Sequence, residues 1–248
     1  KFLGALAQYT YWFLIMRADL NVKRGDVAAV KGKRIGAAPL IDIGLIELLK
    51  EYGIDPKRDG VQIAPPPMPA NPAGVSFGVN AAKAMEEGKI DGFWANGMGA
   101  EVAVKRGLGT MVLDARRGDG PASLRGYTFG VLATRAELVE KEPEKAKGAL
   151  RALIKTQKAL KADPSIATKV GEKWFPAYEA SLIATLIERD LPYYDPTITK
   201  ETFDKMCKFV QTTGLAKGLA NTRTWSRRSS ATSGNRNRRT EARLRARA

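Results

Sequence analysis

The residues best suited to gripping a small molecule stand where short apolar runs give way to helical patterns. Pro39-Leu40-Ile41-Asp42 closes the run around Ile35, Ser76-Phe77-Gly78 opens a helical stretch, and Trp94-Ala95-Asn96-Gly97 ends a further run. Phe77 and Trp94 offer flat apolar faces and Asn96 offers both a donor and an acceptor, a set that suits a planar heteroaromatic or amide-bearing solute. Ser76 and Phe77 stand where free N–H groups at a helix start can meet an acceptor. Asp42 reads first as the N-cap of its helix and second as a contact. A carboxylate there takes the helix-terminal N–H groups for itself and repels an anion, which disfavours nitrate and simple sulfonates. Trp94 fits core packing and ligand stacking equally well, whereas Asn96 reads as a ligand contact. Tyr9, Tyr11 and Trp12 read first as packing residues, with Tyr9 and Trp12 also suited to the mouth of a cleft. The candidate binding set is therefore Pro39, Leu40, Asp42, Ser76, Phe77, Trp94, Asn96, Tyr9 and Trp12.

Much other chemistry is excluded. The 248 residues include no histidine and one cysteine, Cys207. A Ser-His-Asp or Cys-His site, a histidine metal cluster and an imidazole base are all impossible, and so is an internal disulfide. Carboxylates and lysines remain, but no motif singles out a pair of them. No catalytic residue, metal ligand or cofactor is predicted.

Repeated strand–loop–helix units would position the candidate residues. After Pro39, Ile43, Leu45, Ile46, Leu48 and Leu49 recur mostly on one helical face, and Gly53 suits the C′ position where φ is positive. The spacing then predicts a strand over 61–64, a helix over 79–87 closed by Gly88, a strand over 90–94, a helix over 98–106 and a strand over 110–113. Right-handed crossovers make this a parallel α/β layer, whose ligands sit beyond the carboxyl ends of the strands. The loops that matter are then 38–42, 65–78 and 95–97. The proline-dense stretch 65–74 must be a stiff loop, either a passive connector or a pocket wall. Upstream, the β-like runs at 2–6 and 12–16 either pair as antiparallel neighbours or connect domains. Downstream, a strand at 127–134 precedes helices predicted over 142–161, 165–172, 178–190 and 200–212, the last with Thr199 as N-cap and Glu201 in its first turn.

The length suits one large or two small domains, and 44% hydrophobic residues can build a sizeable core. The apolar stretch 11–16 is far short of the roughly 20 residues a membrane helix needs. The chain opens at Lys1 without a basic-then-apolar leader, which reads as a mature form or a fragment. The formal charge is +15, but the segment from Asn221 carries nine Arg against one Glu, more than half of the excess. This Arg-rich end reads as out-of-frame or linker-derived sequence, with a disordered native tail and a nucleic-acid arm as the alternatives.

Three stretches together resemble the solute-binding proteins of ABC importers. They are Lys31-Gly32-Lys33-Arg34-Ile35-Gly36, then Glu87-Gly88-Lys89-Ile90-Asp91-Gly92-Phe93-Trp94, then the helix from Glu140-Lys141-Glu142-Pro143 to Asp163-Pro164. The nearest branch is the nitrate/sulfonate/taurine and thiamine-precursor group, and the resemblance runs from about Phe2 to Gly218. It implies a periplasmic-binding-protein-like α/β fold with two lobes that close on a small molecule, delivered unchanged to a membrane permease. On this pattern 1–32 is part of the first lobe and a crossover, and 33–124 is a complete second lobe that carries the ligand. Residues 125–218 return to the first lobe, and 219–248 form a disordered tail. The opening strand–helix–strand segment of the first lobe and the signal sequence are missing from the match. The resemblance also implies a periplasmic or extracytoplasmic monomer with no specific nucleic-acid partner. Two alternatives share the fold. One is an enzyme similar to thiamine-pyrimidine synthases, which would need a histidine; the other is the effector domain of a transcription regulator, which would need a helix-turn-helix.

Overall fold

The first two apolar runs do not pair with each other. In a computed structural model that describes residues 1–68 and 76–215, the strands are Phe2–Gln8 (β1), Phe13–Arg17 (β2), Arg34–Ala37 (β3), Gln62–Ala64 (β4), Gly92–Ala95 (β5), Gly109–Asp114 (β6) and Thr128–Ala133 (β7). β1 runs antiparallel to β7 in a two-stranded ribbon, while β2 enters a five-stranded sheet of order β4-β3-β5-β2-β6. Neither expected role for these runs, mutual pairing or plain connection, describes β2. The residues Phe13 to Met16 are fully buried, as suits a strand covered on both faces. The far part of the proline-dense loop and the Arg-rich tail lie outside the described residues.

β3 is parallel to β4 and β5, and β2 is antiparallel to both β5 and β6, so the four strands of the repeated units run one way with β2 reversed among them. The helices that cross between these strands are Asp42–Glu51 (α1), Phe77–Glu86 (α2) and Gly97–Lys105 (α3). Alternation along the strands divides the core into two. On one face Leu14, Met16, Ile35, Trp94 and Leu113 meet Leu45, Leu48 and Leu49 of α1. On the other, Phe13, Ile15 and Phe93 meet Ala81 and Met85 of α2 and Ala100 and Ala103 of α3. Each fully buried Leu of α1 contributes about 2 kcal/mol.

After β7 come Ala136–Lys141 (α4), Pro143–Ala162 (α5), Ser165–Gly171 (α6) and Ala177–Asp190 (α7). These helices divide between the two sheets. α5 serves the ribbon, with Gln157 Nε2 donating to the carbonyls of Ala5 and Leu6 at 3.2 and 2.9 Å. α7 instead adds Leu182 and Leu186 to the core beneath α2 and α3. A second unit starts at Ile198 and holds Lys200–Thr212 (α8), where Thr199 caps as expected: its hydroxyl accepts from the Thr202 N–H at 3.0 Å.

Helix ends follow the sequence closely at the C-termini. Gly53, at φ 69°, donates to Lys50 O at 2.9 Å while Ile54 N–H reaches back to Leu49 O at 2.9 Å. Gly88 ends α2 in the same way, a pairing that a left-handed residue makes possible. The N-terminus of α1 differs from expectation. Asp42 is its first helical residue and Ile41 the cap, because a turn in which Ile41 and Asp42 both donate to Ala38 O starts the helix one residue early.

Candidate functional site

One edge of the five-stranded sheet collects the loops that sequence spacing singles out. β3, β5 and β6 end there at Ala37, Ala95 and Asp114, and β2 begins there, with Phe13 paired to both Ala95 and Asp114. Residues 38–42, Asn96-Gly97, Ala115–Arg117 and Tyr11-Trp12 therefore share this edge.

The candidate residues fall on both faces of it. Trp94 is core, 1% exposed, and its indole Nε1–H is buried with no hydrogen-bond partner among the described residues. A Cβ on Gly44 of α1 would stand 3.9 Å from that nitrogen. Asn96 sits across the sheet, as the backbone cap of α3, and its Oδ1 is likewise buried and unpartnered. That oxygen lies against α2, 2.8 Å from where a Cβ on Gly78 would be. Ser76 is the backbone cap of α2 without a side-chain bond, and Phe77 packs half-buried on the second core. Asn96, Ser76 and Phe77 thus come together where α2 and α3 begin, while Trp94 faces α1.

The remaining candidates scatter along the edge. Leu40 is 69% exposed with φ 71°, next to an exposed Pro39. The Asp42 carboxylate accepts the N–H of Ile43 at 2.9 Å, so it does occupy a helix-terminal donor, though from inside the helix. Trp12 packs against the first core and meets Phe129 edge-on at 5.4 Å. Tyr9, at φ 63°, stacks its edge on Tyr193 at 5.7 Å.

Sequence reasoning missed a charged cluster at the same edge. Past β6, the Arg117 guanidinium donates to Asp114 at 2.9 Å, and to Asp190 and the Arg189 carbonyl of α7 at 2.7 and 2.6 Å. Arg189 donates to Glu101 of α3 at 2.9 Å. Arg116 is buried, with its guanidinium 4.2 Å from the Tyr11 ring centroid. Burial pushes the Tyr11 phenol above its ordinary pKa, with the Asp190 charge adding to the shift. Burial also lowers the pKa of Arg116, because the charged form has lost its water. The available signal was position: Ala115–Arg117 follows a strand of the layer just as the named loops do, but the nearby glycines and Pro121 read as a plain turn. No group of three or more metal-ligating side chains occurs among the described residues.

This mixed α/β architecture is the periplasmic binding-protein fold. The chain belongs to the NMT1/THI5-like family, whose model matches residues 1–167. Solved structures carry the same fold. The putative periplasmic sulfonate-binding protein SsuA of Methylobacillus flagellatus KT aligns at TM-score 0.60 and 17% identity, over 90% of this chain and 64% of its own. The aliphatic sulphonate binding protein SsuA of Escherichia coli aligns at TM-score 0.61 and 15% identity, over 86% of this chain and 66% of its own. The chain thus spans a little under two thirds of their length. A mutant of the desulfurization enzyme DszB, in complex with biphenyl-2-sulfinic acid, aligns at TM-score 0.59 and 14% identity, over 91% of this chain and 76% of its own. Binding proteins and an enzyme therefore share this architecture. No curated protein sequence matches the chain.

Proposed function

We propose that the chain is a non-enzymatic solute-binding component of an ABC importer, holding a small planar heteroaromatic or amide-bearing molecule at the carboxyl edge of its five-stranded sheet. The reading is supported chiefly by Asn96 Oδ1, an acceptor buried beside Ser76 and Phe77 where α2 and α3 begin, without a partner among the described residues. Buried polar groups are otherwise almost always paired, and a ligand that offers an N–H answers it; Trp94 Nε1, also unpartnered, lies on the opposite face of the sheet. The candidate set 39–42, Ser76-Phe77, Trp94, Asn96, Tyr9 and Trp12 would line the approach. Residues 33–124 together with β2 would be the ligand lobe, and the ribbon with the later helices would be the crossover and part of the other lobe. The protein would work outside the cytoplasm as a monomer, directed there by a signal or lipid anchor in its full-length form, and would pass its solute to a membrane permease. The sulfonate-binding names of the structural relatives favour a different solute, and calorimetry decides: titration with a pyrimidine panel, taurine and nitrate should give saturable heat with a pyrimidine alone. Tight taurine or nitrate binding with no pyrimidine response would reverse the assignment.

An enzymatic reading draws on one observation, the fold shared with DszB. For the alternative of an enzyme similar to thiamine-pyrimidine synthases, the test is pyrimidine formation when pyridoxal phosphate and iron are supplied, and the absence of histidine counts against it.

A further inference from the structure

Outside the Arg-rich end, the excess positive charge gathers in one segment. Of the net +7 carried before Asn221, residues 143–178 hold +5, with eight Lys and Arg against three Asp and Glu. On α5, Lys147, Arg151, Lys155, Lys158 and Lys161 recur three and four residues apart, a spacing that sets them along one face, and all five are exposed. Glu144 accepts from Lys147 at 2.8 Å and lies 3.8 Å from Arg151, whereas Lys155, Lys158 and Lys161 make no ion pair among the described residues. The helix cannot turn this stripe inward, because its Ala146 and Gln157 are buried and Gln157 is bonded to β1. The stripe is therefore held facing outward over about 20 Å.

The same segment bares large apolar side chains. Where α6 gives way to α7, Trp174 is 78% exposed, and Val170, Phe175 and Tyr178 are exposed around it, interleaved with the exposed Lys169 and Lys173. The backbone of this turn is held, since the N–H groups of Trp174 and Phe175 both donate to Gly171 O at 2.8 Å. These four side chains offer roughly 400 Å² of apolar surface, half of the about 800 Å² that each partner gives to a standard protein interface. That is too little for a stable pairing with a second copy. Tryptophan and tyrosine flanked by lysines match the bilayer interface instead, where the rings sit at headgroup level and the ammonium groups reach lipid phosphates.

We propose that α5 and the α6–α7 turn form a docking surface for an anionic lipid bilayer, with the lysine stripe against headgroup phosphates and Trp174 in the interface. Lysines without protein partners are free to pair with lipid phosphate, and the attraction acts within a Debye length, about 10 Å at 0.1 M salt. The contact does not depend on which solute the protein holds. It goes beyond the importer reading by giving the chain a lipid partner of its own.

The test is flotation of the intact chain with vesicles of phosphatidylcholine alone or mixed with phosphatidylglycerol. Binding to the mixed vesicles should be at least tenfold tighter and should weaken as salt is raised. The triple variant Lys155→Gln, Lys158→Gln, Lys161→Gln should lose at least tenfold in partitioning. A control that removes the same charge elsewhere on the exposed surface, Lys23→Gln, Lys57→Gln, Lys83→Gln, should lose less than threefold. The Arg-rich end is present in all three chains, so the difference belongs to α5. The emission of Trp174, obtained by subtracting the spectrum of Trp174→Phe from that of the parent, should shift to the blue on the mixed vesicles, and it decides the matter should the triple variant fail to fold. Equal loss in the two triple variants, unchanged binding of the α5 variant, or an unmoved Trp174 emission overturns the surface and leaves the solute-receptor reading standing. A blue shift that follows protein concentration without vesicles assigns the patch to self-association and overturns it as well.

Discussion

The two edges of the five-stranded sheet both carry arginine–aspartate pairs, and they treat them in opposite ways. At the edge where β3 and β5 begin, Asp91 accepts from the Arg34 backbone N–H at 2.9 Å, from Nε at 3.0 Å and from Nη2 at 2.7 Å. Nη2 also donates to Gly88 O, so donors and acceptors there are matched in a part-buried cluster. The Arg34 guanidinium holds the Asp91 carboxyl below the usual carboxylate range. At the edge where β3, β5 and β6 end, Arg116, Arg189, Trp94 and Asn96 all keep buried polar atoms without partners among the described residues. Such atoms also occur away from the sheet, at Thr168 of α6 and Glu179 of α7, so it is their gathering beside the candidate loops that suggests where binding energy can be gained.

The largest break in this contrast should come from glycine contacts at the carboxyl edge. A Cβ on Gly99 would overlap the backbone of Gly78, and neither helix can yield by a rotamer change. Gly99→Ala should therefore cost about 3 kcal/mol, read as a lowered urea midpoint with an unchanged slope. At the other edge, Gly88→Ala should cost about 1 kcal/mol, the penalty of a left-handed residue with no recorded contact closer than 3.9 Å.

Charge removal should change sign within one cluster. Arg117→Met takes from Asp114 its guanidinium and from Asp190 its 2.7 Å donor, leaving Asp190 only the longer contacts to Arg116 and Arg189, and should destabilise by about 3 kcal/mol. Arg116→Met leaves Asp190 with Arg117 and Arg189 and removes an unsatisfied buried charge, so it should be neutral or stabilising by about 1 kcal/mol. Asp91→Asn, at the matched edge, should destabilise. Thermal melts of the three variants side by side would show whether the two edges differ as described.

A smaller effect should appear in binding alone. Asn96→Ala removes the unpaired acceptor and should weaken a pyrimidine by about tenfold in calorimetry, with the melting temperature held within a few degrees.

The smallest lies in pH. Because burial raises the Tyr11 phenol above the unfolded value, its contribution is fully present below about pH 10 and is lost as pH rises through the folded pKa. Tyr11→Phe should flatten the alkaline fall in stability above pH 10, followed by denaturant titration at successive pH values.

Much of this layout was legible beforehand because it is local. Gly53 and Gly88 announced helix ends through the one conformation glycine favours, and Thr199 announced a start through its hydroxyl. The apolar stripe of α1 announced the face it buries. Partnership across the chain was not legible in this way. The run at 12–16 has the composition of a doubly covered strand, but nothing in its period says that β5 and β6 flank it. Asp42 was misplaced by one residue because the turn at Ala38 O, and not the side chain, sets the helix start. Trp94 fits core and ligand equally well by sequence; it is core in its ring, with its N–H unpaired among the described residues. Arg116 and Asp190 are far apart in sequence, and only the packing of α7 against α3 unites them.

The most direct measurement is amide chemical-shift mapping of the labelled protein during titration with a pyrimidine that calorimetry has shown to bind. Shifts concentrated at 38–42, 76–78, 94–99 and 115–117, with Arg34, Gly88 and Asp91 unmoved, are what solute capture at the carboxyl edge predicts. Shifts centred on Arg34 and Asp91, or spread evenly over both edges, would contradict it.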